Sequence, residues 1–355
     1  MFLKARITQI WVLAAAAALV PSVRAATTAQ PKSAHTPTPV SRQVSSRPVV
    51  RRATPPAGPP SVYVVNTDTG QEIITQREGM RRAPASLTKL MVIYLAFQKI
   101  KSGEWTLDTQ LPVSLDAVLQ GSKFGSVTMN LHRGDIVKLR DLLTGMIVPS
   151  ACDAPSVIGE AISGTQTAFV DLMDRTAFEL GMFDTQFDNT SGRPNHTALP
   201  HARVEVPEDA EKFITPRDVS ILLNAIHTSF SPELLALFKT ASFTFRGHTY
   251  LRTDKDIMFP GLDYGPGMHV DILMDKTGTT DYAHSNIGVD ASCNGRNLIA
   301  VVMGAPSGFE RRRLLRDALE KGCAAPIVPP IRPPVITLES LQNIFSFVVL
   351  PLPKP

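Results

Sequence analysis

Pro84-Ala-Ser-Leu-Thr-Lys-Leu-Met-Val-Ile-Tyr-Leu-Ala-Phe97 is the stretch on which the fold turns. Pro84 suits a helix entrance, where no amide donor is needed. From Ser86, apolar Leu87, Leu90, Met91, Tyr94, Leu95 and Phe97 recur at three and four residues, the period of a helix that ends near Gly103. The stretch is apolar nearly all round, which predicts a buried central helix. Ser86 and Lys89 stand three residues apart, so a hydroxyl and an ammonium share one face. Serine is a poor nucleophile until a base takes its proton, and a lysine near its ordinary pKa of about 10 is a poor base at neutral pH. Burial or a second cation lowers that value. Ser86 and Lys89 are therefore a candidate nucleophile and base, and Ser86 in the first turn also offers its own N–H to an acyl oxyanion.

Two further motifs follow in order: Ser150-Ala-Cys152 and Lys276-Thr-Gly278. Each alone is weak; together with Ser86-Leu-Thr-Lys89 they are specific. Lys276 is the candidate second cation. Ser150 is placed to bridge the two lysines and relay a proton to a leaving amine. Lys276 to Gly278 reads as part of an edge strand. Thr277 offers a hydroxyl to a substrate carboxylate, Gly278 lets an extended peptide lie close, and Thr279 would supply a second oxyanion N–H.

Around these motifs, Ser61–Gly70 reads as a β-rich run with a turn, and Gln71–Thr75 as its return strand. Helices are predicted over 139–145, 154–162 and 166–181, with a further one opened by Thr215 as N-cap and Pro216 at the first helical position. Ser242–Phe245 and Thr249–Leu251 form a predicted hairpin, Leu298–Gly304 a buried strand and Arg311–Gly322 a last helix. Strands at both ends of a helical middle predict an α+β domain whose ends meet in one antiparallel sheet, with a helical subdomain.

The outer segments read differently. Residues 1–25 have a basic start (Lys4, Arg6), an apolar run from Ile10 to Val20 and a small-x-small site at Val23-Arg24-Ala25, the pattern of an export signal. Residues 26–59 are rich in Pro, Ser, Thr and Ala and read as a tether. A domain is expected over 60–323, and a Pro-rich tail over 324–355 in which Ile336–Leu350 allows a short amphipathic helix. Eight of the basic residues and no acid fall in 1–59; the formal +4 less these eight leaves −4 for the rest. A nucleic-acid partner is not indicated, and the basic stretch leaves peripheral membrane contact open. The chain has three cysteines. An exported chain can keep a disulfide, and Cys293 with Cys323 is the plausible pair. No cysteine and histidine spacing suggests a metal.

Pro84–Met91, Asp141–Ala154, Asp275–Thr280 and Leu298–Ala305 together resemble the low-molecular-mass penicillin-binding proteins, the serine-type D-alanyl-D-alanine carboxypeptidases. The resemblance runs over roughly residues 60–322. It implies a penicillin-recognising (β-lactamase/transpeptidase-like) fold and an acyl-enzyme on Ser86, with Lys89 and Ser150 catalytic. Cys152, Lys276, Thr277, Gly278 and Thr279 would bind substrate. It implies cleavage of terminal D-Ala from peptidoglycan stem peptides in the periplasm or cell envelope, inhibition by β-lactam antibiotics, and no metal or cofactor. The chain departs from the family in three ways. The usual asparagine of the second motif is Cys152, which donates and accepts hydrogen bonds only weakly. Asp275, read as pointing to solvent, replaces an apolar residue. No second β-domain of family length follows residue 323.

Other readings stay open on these residues. D,D-transpeptidase or endopeptidase activity would use the same site. A non-catalytic wall-binding protein would keep the fold, and Cys152 alone favours it. A β-lactamase needs a deacylating base, and Phe187–Gly192 holds no glutamate.

Overall fold

The computed structural model describes residues 58–121, 126–193, 212–252 and 269–326. The signal and most of the tether, Asn195-His-Thr197 and the tail helix lie outside the described residues.

Strands β1 (Ser61–Asn66) and β2 (Glu72–Gln76) form the expected N-terminal hairpin. A 3-10 turn, Ala85–Thr88, leads into α1 (Lys89–Lys101), in which every residue from Lys89 to Phe97 is buried. Next come β3 (Gln110–Pro112), α2 (Leu115–Gly121), β4 (Ile136–Lys138), α3 (Leu139–Ile147), α4 (Ala154–Ser163) and α5 (Gln166–Glu179). The chain continues with α6 (Pro216–Ser229), α7 (Pro232–Leu235), and the hairpin β5 (Ser242–Phe245) and β6 (His248–Leu251). It ends with β7 (Val270–Thr280), β8 (His284–Cys293), β9 (Arg296–Ala305) and α8 (Gly308–Ala324). Local chemistry sets several boundaries: the Thr215 hydroxyl accepts from Asp218 N ahead of Pro216, and the Ser307 hydroxyl accepts from Glu310 N.

The main sheet is antiparallel in the order β2-β1-β9-β8-β7. β1 pairs with β9 from Ser61↔Met303 to Asn66↔Leu298, so the two ends of the domain do meet in one sheet. Both faces are covered, which is why β9 reads as an unbroken apolar run. Ile299, Val301 and Met303 join the core with α1 and α6, while Ala300 and Val302 join Val62, Val64 and Leu319 under α8. β8 alternates more sharply. Ile287, Val289 and Ala291 face α8. Toward the helical side stand Asn286, Gly288, where a Cβ would lie 2.9 Å from Leu223 Cδ1, and Asp290, whose Oδ2 is 2.6 Å from His227 Nδ1 on α6. β7 is an edge strand, as its motif required.

Cys293 and Cys323 are disulfide-bonded, their Cα atoms 5.7 Å apart, and join the end of β8 to the last turn of α8. Among the described residues no helix is long and apolar enough to cross a membrane. The bridge closes a loop of 30 residues, so reduction should lower unfolding free energy by roughly 2–4 kcal/mol. Denaturant melts with and without a reductant test this, with Cys293→Ala/Cys323→Ala matching the reduced protein.

Candidate active site

The site grows from the turn before α1. In a 3-10 turn, residues three apart eclipse, so Ser86 lies over Lys89 more closely than on an α-helix, and Lys89 Nζ is 2.8 Å from Ser86 Oγ. The turn begins at Ala85 with φ 49°, a left-handed conformation that a residue with a Cβ adopts only under restraint. The restraint comes from three sides. Asn286 Nδ2 donates to the carbonyls of Ala83 (3.0 Å) and Pro84 (3.3 Å), while its Oδ1 accepts from Gly304 N at 2.8 Å. Gly278 lies so close that a Cβ there would sit 2.8 Å from Pro84 O and 3.0 Å from Ser86 N. A Cβ on Gly192 would overlap Ala85 O.

Lys89 is fully buried. Its Nζ also donates to Ser191 O at 3.1 Å and to Cys152 Sγ at 3.6 Å. Burial pushes its pKa below the ordinary lysine value; Cys152 acts to raise it, Arg193 to lower it and Asp153 to raise it. Arg193 thus acts on Lys89 in the same direction as burial, a cation that the sequence reading did not single out. The Ser191 carbonyl is held by a tight turn in which Asn189 Oδ1 accepts from Ser191 N (3.0 Å) and Gly192 N (2.7 Å). Lys212 Nζ anchors the same segment through Asp188 Oδ2 (3.2 Å) and Arg193 O (2.6 Å).

Lys276, 2% exposed, donates to Ser150 Oγ at 2.9 Å and to Thr277 O at 2.8 Å. Ser150 has φ 61°, the second left-handed non-glycine residue at a motif. Its hydroxyl meets Lys276, but the neighbour it shares with Lys89 is Cys152, whose thiol donates to Ser150 O at 3.8 Å. The expected bridge between the lysines is therefore built through Cys152 on one side. Thr277 is half-buried and Thr279 exposed on β7. Gly278 faces the turn of Ser86, so its missing side chain first admits the turn itself.

Sequence reasoning missed several groups here. Asn286 lies in a polar run that shows no strand signal. Arg311, 1% exposed on α8, donates to Thr279 Oγ1 (3.3 Å) and Asn286 O (3.4 Å), setting a guanidinium behind β7. Asp275, expected to face solvent, is 4% exposed, and its Oδ1 lies 3.0 Å from Arg252 Nη2. A carboxylate at that depth needs a charged partner, and the hairpin β5–β6 supplies it. Among the described residues no group of three or more His, Cys, Asp or Glu is arranged to hold a metal ion.

Comparison with known proteins agrees with this geometry. The family model described as Peptidase_S11, D-alanyl-D-alanine carboxypeptidase, matches residues 51–307. The D-alanyl-D-alanine carboxypeptidase DacD of Escherichia coli is 34% identical over 271 residues, 74% of this chain and 64% of that protein. DacC of the same strain is 32% identical over 224 residues, 62% of this chain and 50% of that one. The chain thus spans less than two thirds of the length of these curated relatives. Among solved structures, penicillin binding protein 6B from Escherichia coli superposes with a TM-score of 0.62 at 33% identity, covering 74% and 77% of the two chains. Penicillin-Binding Protein D2 from Listeria monocytogenes, in its ampicillin-bound form, gives 0.57 at 23% identity and speaks for the fold alone. The fold is the α+β transpeptidase-like one that the motifs implied.

The contact at Gly278 makes a direct prediction. Gly278→Ala should lower unfolding free energy by about 1–3 kcal/mol, because the new methyl meets backbone that cannot rotate away. Gly79→Ala, with nothing within 4 Å of its Cβ, should melt like the parent, and calorimetry of the two variants checks both.

Proposed function

The chain belongs to the D-alanyl-D-alanine carboxypeptidase family, and from that premise we propose that it is an exported serine D,D-carboxypeptidase of the cell envelope. Its substrate is the D-Ala-D-Ala end of a peptidoglycan stem peptide, and β-lactams acylate the same serine. The observation that carries this reading is the 2.8 Å contact between Ser86 Oγ and a fully buried Lys89 Nζ.

The chemistry follows from the contacts. With Lys89 uncharged, the Ser86 hydroxyl donates across that contact, and its proton passes to Nζ as Oγ attacks the penultimate D-Ala carbonyl. Negative charge then develops on the carbonyl oxygen, beside the N–H of Ser86 at the turn and the N–H of Thr279 on β7. Collapse breaks the C–N bond, and the departing amine takes a proton from the Ser150 hydroxyl, which Lys276 replenishes. Terminal D-Ala leaves, and Ser86 holds an ester. The proton that Lys89 took from Ser86 restores the Lys276 ammonium, leaving Lys89 uncharged again. Water then adds to the ester as Lys89 accepts its proton, and that proton passes to Ser86 Oγ as the ester C–O bond breaks and the shortened peptide departs. The terminal carboxylate is met by Thr277, with the Arg311 guanidinium behind the strand adding positive charge.

Cys152 favours a slower enzyme of this class over a non-catalytic one. Its thiol occupies the position of an amide that would both donate to and accept from the substrate backbone, while leaving the Ser86–Lys89 contact in place. Transpeptidase chemistry differs only in replacing water by an amine acceptor.

Intact mass after incubation with a penicillin tests the reading. The expected result is a single adduct on the parent protein that is absent from Ser86→Ala; an unmodified parent with the drug intact would refute it. Release of D-Ala from a stem pentapeptide should follow the same pattern. Cys152→Asn should speed acylation by roughly three- to tenfold, the worth of one recovered hydrogen bond, as measured with a fluorescent penicillin.

A further inference from the structure

The cleft beside the reacting groups is wider than a terminal D-alanine needs. Ser150, Lys276 and Thr277 line a cavity of about 250 Å³. In the reaction proposed above, Ser150 and Lys276 serve the departing amine and Thr277 meets the terminal carboxylate. The cavity therefore lies on the leaving-group side of the scissile bond, next to the Cα that joins those two groups. D-Alanine brings one methyl to this space, a group near the size of one water, about 30 Å³.

The rest of the lining suits a larger group. Val127, Val148, Pro149 and Leu251 give the cavity apolar walls. Val127 and Leu251 are 50% and 64% exposed, two large apolar side chains left to water within one cleft. Apolar residues scattered singly over a surface need no explanation, but two that share a cavity with reacting groups mark a ligand surface. Both are held through their surroundings. Cys152 N donates to Val127 O at 2.8 Å, which ties that residue to the second motif. Leu251 pairs with Ser242 across the β5–β6 hairpin. Its neighbour Tyr250 donates from its hydroxyl to Thr128 O at 3.1 Å, so the hairpin and the Val127 segment are fastened together. Arg252 and Asp275 also reach the cavity, but their charged atoms meet each other at 3.0 Å and both side chains are under a tenth exposed. The side chains that a ligand meets beyond the reacting groups are thus apolar.

We propose that this cavity is the subsite for the terminal residue's side chain, and that it selects stem peptides ending in a bulky aliphatic D-residue, such as D-leucine, over those ending in D-alanine. The inference rests on the carboxypeptidase reading and leaves its chemistry unchanged: the same C–N bond breaks, water is added, and a larger free D-amino acid departs. Val127 and Leu251 are its specificity-determining residues. A branched aliphatic side chain seated between them removes from water both its own apolar surface and theirs.

The test is release of the terminal amino acid by the full chain from three synthetic stem pentapeptides that differ only in ending with D-Ala, D-Leu or D-Glu. Each is compared as kcat/KM, the quantity that measures discrimination between substrates. The D-Leu peptide should be favoured over the D-Ala peptide by roughly three- to tenfold, a modest figure because the walls stay partly open to water. Leu251→Ser and Val127→Ser should each cut that ratio by about three- to tenfold. Both positions are exposed, so the variants should fold, and general damage would lower both rates while leaving their ratio alone. If a serine variant fails to fold, Leu251→Ala and Val127→Ala, which remove apolar area without adding a hydroxyl, should shift the ratio the same way. A D-Leu peptide cleaved no faster than the D-Ala peptide, or a ratio unmoved in the variants, would overturn the proposal while D-Ala release stands. So would a preference for D-Glu, which would assign the cavity to Arg252. No release from any of the three peptides would overturn the carboxypeptidase reading and this one with it.

Discussion

An amine buried without a carboxylate in direct contact is the constraint around which this domain is organised. Lys89 has lost its water, and its replacement hydration is a hydroxyl, a backbone carbonyl and a thiol. Burial outweighs what Cys152 and Asp153 add in favour of the charged form, and the ammonium is disfavoured. Keeping water away requires α1 to be covered on every side, and the sheet, α4 and α6 do this. The Ser191 carbonyl must be held where it can accept, which takes the Asn189 turn and the Lys212 anchor beneath it. The strain at Ala85 belongs to the same arrangement: the turn is pressed into a left-handed conformation because Gly278, Gly192 and Asn286 close on it from three directions.

Much of this was legible in the chain. Helices α1, α3, α4, α5 and α6 announced themselves by apolar period and by caps such as Thr215-Pro216, and β9 by an apolar run flanked by polar residues. The strand β8 was not legible, because the residues it turns toward the helical side are Asn286, Gly288 and Asp290, polar or small side chains that break the apolar alternation of a strand. Those residues are polar or small for tertiary reasons: Asn286 binds two carbonyls across the sheet end, Gly288 makes way for α6, and Asp290 meets His227. The same logic hid the partner of Asp275. Sequence places it beside Lys276, but only the tertiary path of the β5–β6 hairpin brings Arg252 to it. Short pieces such as β3 and α2 carry too few residues for a period to show.

The second motif shows how a family pattern can change one atom set and keep its architecture. Cys152 is buried where an amide is usual, yet it still links the two halves of the site, accepting from Lys89 and donating to Ser150 O. Sulfur contacts are long and weak, so the thiol holds the loop through packing more than through bonding. What it gives up is the pair of strong polar atoms that an amide presents. Assembly of the site therefore tolerates sulfur at this position.

The pairing of β1 with β9 has a consequence in time. The side chain of Thr67 donates to the carbonyl of Asn297, 230 residues further along, and the turn carrying Ser86 is braced by Gly278 and Asn286 from strands made last. Contacts between such distant parts of a chain form slowly, because a long loop must close before any of them is rewarded. A chain still being synthesised has its serine and lysine long before it has the strands that press them together. The braced turn at Ser86 thus dates from the closure of the sheet, and a shortened chain that loses β8 and β9 keeps the motif but not the arrangement that sets Ser86 against Lys89.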